Sequence, residues 1–164
     1  MNRSIVGPMG ALLLVTIVLI SFASLVAGAA TDVVVQDDQV KVDRERIAGT
    51  WRVVALEVNG NKASETDARK LSVINHADGT WSLSSDGKEV ARGTSEIDPT
   101  QSPKTIDFVP SDASAPGSRY LGIYELGETT RRLCFAPLGK ERPTEFSSTA
   151  GNQHLLVTFE REAR

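Results

Sequence analysis

Short runs of strand-forming residues, some of them alternating between apolar and polar, follow one another along most of the chain. The runs cover residues 50–58, 71–74, 80–84, 88–97, 105–109, 120–126, 131–136 and 155–161. Turn-forming pairs separate several of them, namely Asn59-Gly60, Asp78-Gly79 and Asp86-Gly87. Alternation bounded by turn residues is typical of half-buried strands. The pattern predicts an all-β domain with about eight or nine strands, the last number including a short strand at Arg142–Phe146. An antiparallel barrel would leave these strands no free sheet edge.

Two short helical segments interrupt the predicted strands. Asp43 is placed to cap a brief helical turn over residues 44–47, which Gly49 would end. Ser64 and Asp67 have the spacing of a capping box, which predicts a short helix over residues 65–69. The barrel is therefore expected to have one helical turn directly before its first strand.

The first 29 residues have the composition of an export signal. Arg3 precedes a nearly continuous apolar stretch over residues 10–26, and Ala27-Gly28-Ala29 places small residues at the two positions that a signal peptidase reads. This pattern predicts a signal peptide over residues 1–29, a polar linker over 30–42, and a barrel domain over 43–164. The alternative is an uncleaved membrane anchor, because the apolar stretch approaches the length of a bilayer span.

Charge and cysteine content limit the partners. Cleavage after Ala29 would leave 135 of the 164 residues, with 17 basic and 21 acidic side chains and a net charge of −4. A mildly acidic exported domain is not expected to bind nucleic acid. Cys134 is the only cysteine, so no disulfide forms within the chain and packing must hold the domain together.

No pattern of residues indicates catalysis or metal binding. His76 and His154 are the only histidines, and together with Cys134 they do not have the spacing of a zinc site. Cys134 lies between apolar neighbours, which is typical of a buried, unreactive thiol. Neither a phosphate-binding glycine loop nor a nucleophile elbow occurs in the sequence. We therefore expect a protein that is not an enzyme and that uses no metal or cofactor.

Trp51 near the start of the domain and Arg161 near its end are expected to contact each other. Gly49-Thr50-Trp51 matches the G-x-W signature of lipocalins, and Arg161 lies on the same strand face as Leu155, Val157 and Phe159. Lipocalins commonly place an arginine from the end of the barrel over that tryptophan. Gly49, Trp51 and Arg161 are therefore interpreted as markers of the fold, with a cation–π contact between the last two.

Residues 47–161 resemble a family of uncharacterised lipocalin-like domains found mainly in planctomycete bacteria. The matching segments are residues 48–54, 97–100, 103–108, 122–124, 133–136 and Arg142-Pro143-Thr144-Glu145-Phe146. The resemblance implies a lipocalin-like antiparallel barrel and an export signal, and it implies no activity. Its recurring residues count as fold markers.

Two classes of function remain open at this point. In the first, the barrel binds a small, partly apolar molecule, and an interior lined by small residues such as Ala55 and Gly122 would favour it. In the second, side chains fill the barrel and its outer surface binds a protein or the cell envelope. The second class would be favoured by an interior packed with aromatic rings, namely Trp81, Phe108, Phe135 and Phe159.

A ligand site is expected at the end of the barrel opposite Trp51, because residues around Trp51 and Arg161 should close the other end. Segments 61–70 and 110–118 are candidates to surround that opening. The candidate ligand-binding residues are two tyrosines that share a strand face and two charged residues: Tyr120, Tyr124, Asp107 and Arg132.

Overall fold

The computed structural model describes residues 27–111 and 117–163, with side chains described from residue 36 onward. The predicted export signal lies outside these residues except for its last three, which begin a helix. The chain divides into two units, residues 1–34 and 35–164, and the first is described only over its helical residues 27–34. No helix in the described part combines the length and apolar character needed to cross a membrane.

Helix α1 (Ala27–Ile47) is longer than the turn that the sequence predicted. It continues through residues 30–42, for which the polar sequence predicts a linker. No glycine or proline occurs between Gly28 and Gly49, so nothing in that stretch breaks the backbone hydrogen bonding of a helix. The helix ends where expected, just before Gly49, which has a φ of 121° that side chains disfavour.

The remaining elements are nine strands and one further short helix. They are β1 (Gly49–Val58), β2 (Asn61–Lys62), α2 (Glu65–Ala68), β3 (Leu71–Asn75), β4 (Thr80–Ser85), β5 (Lys88–Asp98), β6 (Lys104–Pro110), β7 (Tyr120–Leu126), β8 (Thr130–Phe135) and β9 (Leu155–Arg161). Eight strands pair antiparallel in the order β1-β3-β4-β5-β6-β7-β8-β9, and β9 pairs with β1 to close the barrel. The two-residue β2 forms a hairpin against the end of β1. The predicted fold class is confirmed.

Local sequence signals account for the turns between these strands. Asn59 and Gly60 both have positive φ, at 55° and 76°, and Asp86 and Gly87 repeat the arrangement at 49° and 76°. Such pairs match the twist of antiparallel strands. The Ser64 hydroxyl accepts a hydrogen bond from the backbone N–H at residue 67, which confirms the predicted cap of α2.

Neighbouring strands run in opposite directions, so each strand begins at the end of the barrel where its neighbour finishes. We call the end at which β1 begins the closed end, because the last turn of α1 packs against it. Ile47 is 1% exposed there. Arg44 donates hydrogen bonds to the Ser95 hydroxyl and carbonyl, and Arg46 donates to the Leu126 carbonyl at the start of the next turn. The other end, where β1 finishes and β3 begins, is called the open end.

The segment between β8 and β9 crosses the outside of the barrel. The short strand predicted at Arg142–Phe146 is wrong, since residues 137–154 form no strand. A closed barrel leaves no free edge for such a strand to pair with. Arg142 instead donates to the Gly122 carbonyl at 2.6 Å, which pins the segment to the sheet surface. Cys134 is fully buried on that outer face, although its side chain does not point into the barrel.

Aromatic rings fill the middle of the barrel. Trp81 stacks on Phe108 with ring centroids 4.9 Å apart, and Phe108 contacts Phe135 at 4.7 Å. The Phe135 ring lies against Gly122, where a Cβ would approach it to 2.4 Å. We call Trp81, Phe108 and Phe135 the ring stack. Ala55 faces outward beyond a bulge in β1, so it does not enlarge the interior.

Candidate functional site

Trp51 contacts both the last residue of α1 and the last residue of β9 at the closed end of the barrel. Its indole Nε1 donates to the Ile47 carbonyl at 2.7 Å, and the Arg161 guanidinium lies 4.2 Å from its ring centroid. Arg161 also donates to the Ala48 carbonyl at 2.8 Å, which ties β9 to the residue that follows α1. This geometry confirms the predicted cation–π contact and shows that the pair helps to close the barrel.

Arg131 is a second arginine beside Trp51, and sequence reasoning missed it. On β8 it shares the inward face with Leu133, it is 1% exposed, and its guanidinium lies 4.8 Å from the Trp51 ring and 4.6 Å from the Phe159 ring. Burial, and after it repulsion from Arg161, lowers the pKa of Arg131 to about 9, so the group remains charged at neutral pH. Its position two residues before Leu133 was the signal, because alternation along a strand places both on one face.

The Arg131 guanidinium makes no hydrogen bond within the described residues. Its Nε, Nη1 and Nη2 are all buried without a partner, and so is Nδ2 of Asn75. Asn75 alternates with Val73 along β3 and is 4% exposed, so it faces inward too. Buried polar groups are nearly always hydrogen-bonded, so four unpaired donors within one barrel are unusual.

Tyr124 belongs to the closed end of the barrel. Its hydroxyl donates to Asp43 at 2.6 Å, and Lys104 contacts the same carboxylate oxygen at 2.7 Å. Burial, followed by the hydrogen bond to Asp43, raises the pKa of Tyr124 well above its ordinary value. This hydroxyl is therefore engaged in joining α1 to the barrel and lies away from the open end.

Two other predicted ligand residues lie on the outer surface. Asp107 faces outward on β6, where Arg142 at 2.6 Å and Arg119 at 3.1 Å pair with its carboxylate. Arg132 faces outward on β8, with its guanidinium 4.7 Å from the Phe146 ring. Both residues hold surface segments in place, and neither contacts the barrel interior.

Inward-facing apolar side chains are partly exposed at the open end, and we call this apolar surface the cup. Tyr120 faces it and is 37% exposed. The cup is lined by inward-facing apolar side chains that are only partly buried: Leu56, Leu71, Leu83, Ala91, Phe108 and Leu155. The ring stack forms its floor. Residues 61–70 lie at this end, and so do the described residues on either side of the gap at 112–116, which end β6 and precede β7.

A separate groove lies on the outer wall of the barrel. Its volume is about 290 Å³, and it is formed by outward-facing residues of β1 and β9 together with the β2–α2 connection. The lining side chains include Ala55, Glu57, Lys62, Glu65, Leu156 and Thr158. This groove mixes charged and apolar groups, and Leu56 lies between it and the cup.

Cys134 should react slowly with thiol reagents while the domain is folded. Its side chain is buried beneath residues 137–154, its Sγ lies 3.8 Å from His154 Nδ1, and burial raises its pKa. A thiol with a raised pKa forms little of the reactive thiolate at neutral pH. Thiol titration of native and denatured protein is the measurement, and equal labelling rates in the two would contradict this prediction.

Comparison with known proteins places the chain with none of them: no family model, no curated protein and no solved structure matches it. Among the described residues, no group of three or more histidine, cysteine or acidic side chains is arranged to hold a metal ion. The functional argument therefore depends on the geometry of the cup and of the barrel interior.

Proposed function

We propose that this protein is an exported, lipocalin-like, non-enzymatic binding module that takes a small, partly apolar molecule into the cup. The observation that carries the proposal is the cluster of partly exposed, inward-facing apolar side chains at the open end. At the closed end Ile97 and Leu126 are also partly exposed, but the side chains beneath the last turn of α1 are buried. At the closed end Ile47, Trp51 and Val53 are each at most 2% exposed, whereas Leu83 and Leu155 at the open end are partly exposed.

The energetics favour an apolar occupant. Covering apolar surface stabilises a complex by about 25 cal/mol per Å² removed from water. Tyr120 adds a hydroxyl beside an apolar ring at the edge of the cup, and such a group is suited to orient a ligand that is apolar over most of its surface. Of the four ligand residues predicted from the sequence, this is the one that the cup retains.

A charge placed in the cup should weaken the binding of an apolar probe. The neutral dye N-phenyl-1-naphthylamine, whose fluorescence rises in apolar surroundings, can be titrated into the native protein and into Leu83→Glu. We expect the variant to bind at least about tenfold more weakly, because an apolar ligand would desolvate the new carboxylate. Ser82→Glu is the matched control, since Ser82 is the neighbouring residue on β4 and faces outward.

A second candidate function is an interaction module with a filled barrel. The ring stack favours it, because aromatic side chains occupy the middle of the interior, and the outer groove of about 290 Å³ offers a surface for a protein or envelope partner. Absence of dye binding to native protein, or equal binding to both glutamate variants, would overturn the cup proposal and favour this second function.

A further inference from the structure

We propose that Arg131 recognises an anionic group, and that the ligand of this barrel is an amphipathic carboxylate. This inference rests on the proposed function of the cup and adds the chemical class of the ligand. It starts from a charged side chain that is 1% exposed and whose three nitrogens have no hydrogen-bond partner in the described part of the chain.

The neighbours of Arg131 do not neutralise its charge. The Trp51 and Phe159 rings attract the cation through their faces and use none of its N–H donors. The charged group that acts on it is Arg161, which has the same sign. No ion pair joins Arg131 to an acidic side chain of the described residues.

Asp43 is the buried acid at this end of the barrel, and it is already engaged. It is 2% exposed and contacts the Lys104 ammonium and the Tyr124 hydroxyl, each within 2.7 Å. The interior around Arg131 therefore holds an uncompensated positive charge. Asn75 contributes one more unpaired donor to the inward face of β3.

A carboxylate matches these donors. The arginine fork offers parallel N–H groups in the geometry that two carboxylate oxygens accept. Stability alone does not account for the arrangement, because apolar side chains of similar volume commonly replace buried charges without loss of stability. A residue that costs stability in the free protein is expected where a ligand later compensates it.

The distance from the cup defines the shape of the ligand. Phe135, in the floor of the cup, and Arg131 are both inward-facing residues of β8 and are four positions apart, which is roughly 13 Å along a strand. In a fatty-acid-like ligand, the extended alkyl group would lie in the cup while the carboxylate contacts Arg131. Its entry requires the Phe135 ring to move off Gly122.

The experiment compares decanoate with decanol, which has the same alkyl chain and no charge. The affinities are measured in the native protein by titration calorimetry. Trp51 and Trp81 are the only tryptophans, so a separate Trp81→Phe variant, which alters the floor of the cup, is used only to follow the emission of Trp51 beside Arg131. We expect decanoate to bind at least about tenfold more tightly than decanol, a difference equivalent to one charge-assisted contact. Only decanoate should change the Trp51 emission strongly.

Two variants assign the preference to its residue. Arg131→Met keeps much of the apolar volume and should bind both probes equally, with a melting temperature at or above that of the parent. Arg132→Met, the outward neighbour on β8, should keep the preference. Arg131→Lys keeps the charge without the fork and should retain only part of the preference, which provides a second reading if the methionine variant fails to fold.

The outcomes separate this inference from the function on which it rests. Equal binding of decanoate and decanol to the parent protein would overturn the anion site and leave the cup intact. Binding of neither probe would overturn both. A preference for decanoate that persists in Arg131→Met would show that another group recognises the anion and would also overturn the inference.

Discussion

Replacing Trp51 with alanine should lower the free energy of unfolding by about 3–5 kcal/mol, as is usual for a large buried aromatic side chain. Trp51 is 1% exposed and makes three distinct contacts: its indole donates to the Ile47 carbonyl, and the Arg131 and Arg161 guanidinium groups lie 4.8 and 4.2 Å from its ring. The substitution removes the packing of the closed end, leaves Arg161 without the Trp51 ring and leaves Arg131 with the Phe159 ring alone. Denaturant unfolding measures the loss.

A double-mutant cycle tests whether Arg161 acts through Trp51. Arg161→Ala alone should cost less than Trp51→Ala, about 0.5–2 kcal/mol. Combined with Trp51→Ala it should add less than this, because the cation–π contact is already lost. Fully additive losses would show that Arg161 stabilises the barrel independently of its contact with Trp51 and would contradict this prediction.

Replacing Asp43 with alanine should destabilise the protein by about 2–3 kcal/mol and loosen the junction between α1 and the barrel. The Asp43 carboxylate is 2% exposed and accepts hydrogen bonds from Tyr124 at 2.6 Å and from Lys104 at 2.7 Å. Its removal leaves the buried tyrosine hydroxyl unpaired. Lys104 contributes less to the loss, because its side chain is 37% exposed and water can solvate it.

Two further variants distinguish this junction from a general effect on the helix. Asp38→Ala changes an exposed acid of the same helix and should alter stability by less than about 0.5 kcal/mol. Tyr124→Phe removes the hydroxyl alone, so the double variant Asp43→Ala/Tyr124→Phe should recover part of the stability lost in Asp43→Ala. A loss in Asp38→Ala as large as that in Asp43→Ala would contradict the assigned role.

The placement of the candidate ligand residues shows how alternation and tertiary position differ. Tyr120 and Tyr124 share the inward face of β7, as their spacing indicated, yet one is 37% exposed at the open end and the other is 1% exposed beneath α1. Spacing specifies the face of a strand. The distance of each residue from the end of the barrel depends on the register between strands, which the pattern of one strand does not contain.

The spacing of Arg131 from Leu133 indicated that it faces inward, but its charge argued against a buried position. An arginine in a strand is usually expected on the solvent face, since burial of an unpaired charge is costly. The neighbouring Arg132 was predicted instead, as a polar contact for a ligand, and it faces outward. Only the position of β8 between β7 and β9 shows that the first of the two arginines faces the rings of Trp51 and Phe159.

The sequence by itself determined the eight barrel strands and several of the turns between them, because strand patterns and positive-φ turn residues are local signals. The contact between Trp51 and Arg161 was implied by the likeness of Gly49-Thr50-Trp51 to the lipocalin signature. The sequence also located the end of α1 at Gly49. Only the tertiary structure decided that residues 137–154 cover the outer wall and that the ring stack fills the middle of the barrel. It also decided that Arg131 is buried beside Trp51, with no hydrogen-bond partner among the described residues. Those features depend on contacts between distant strands, and barrel closure fixes such contacts through a register that no single segment encodes.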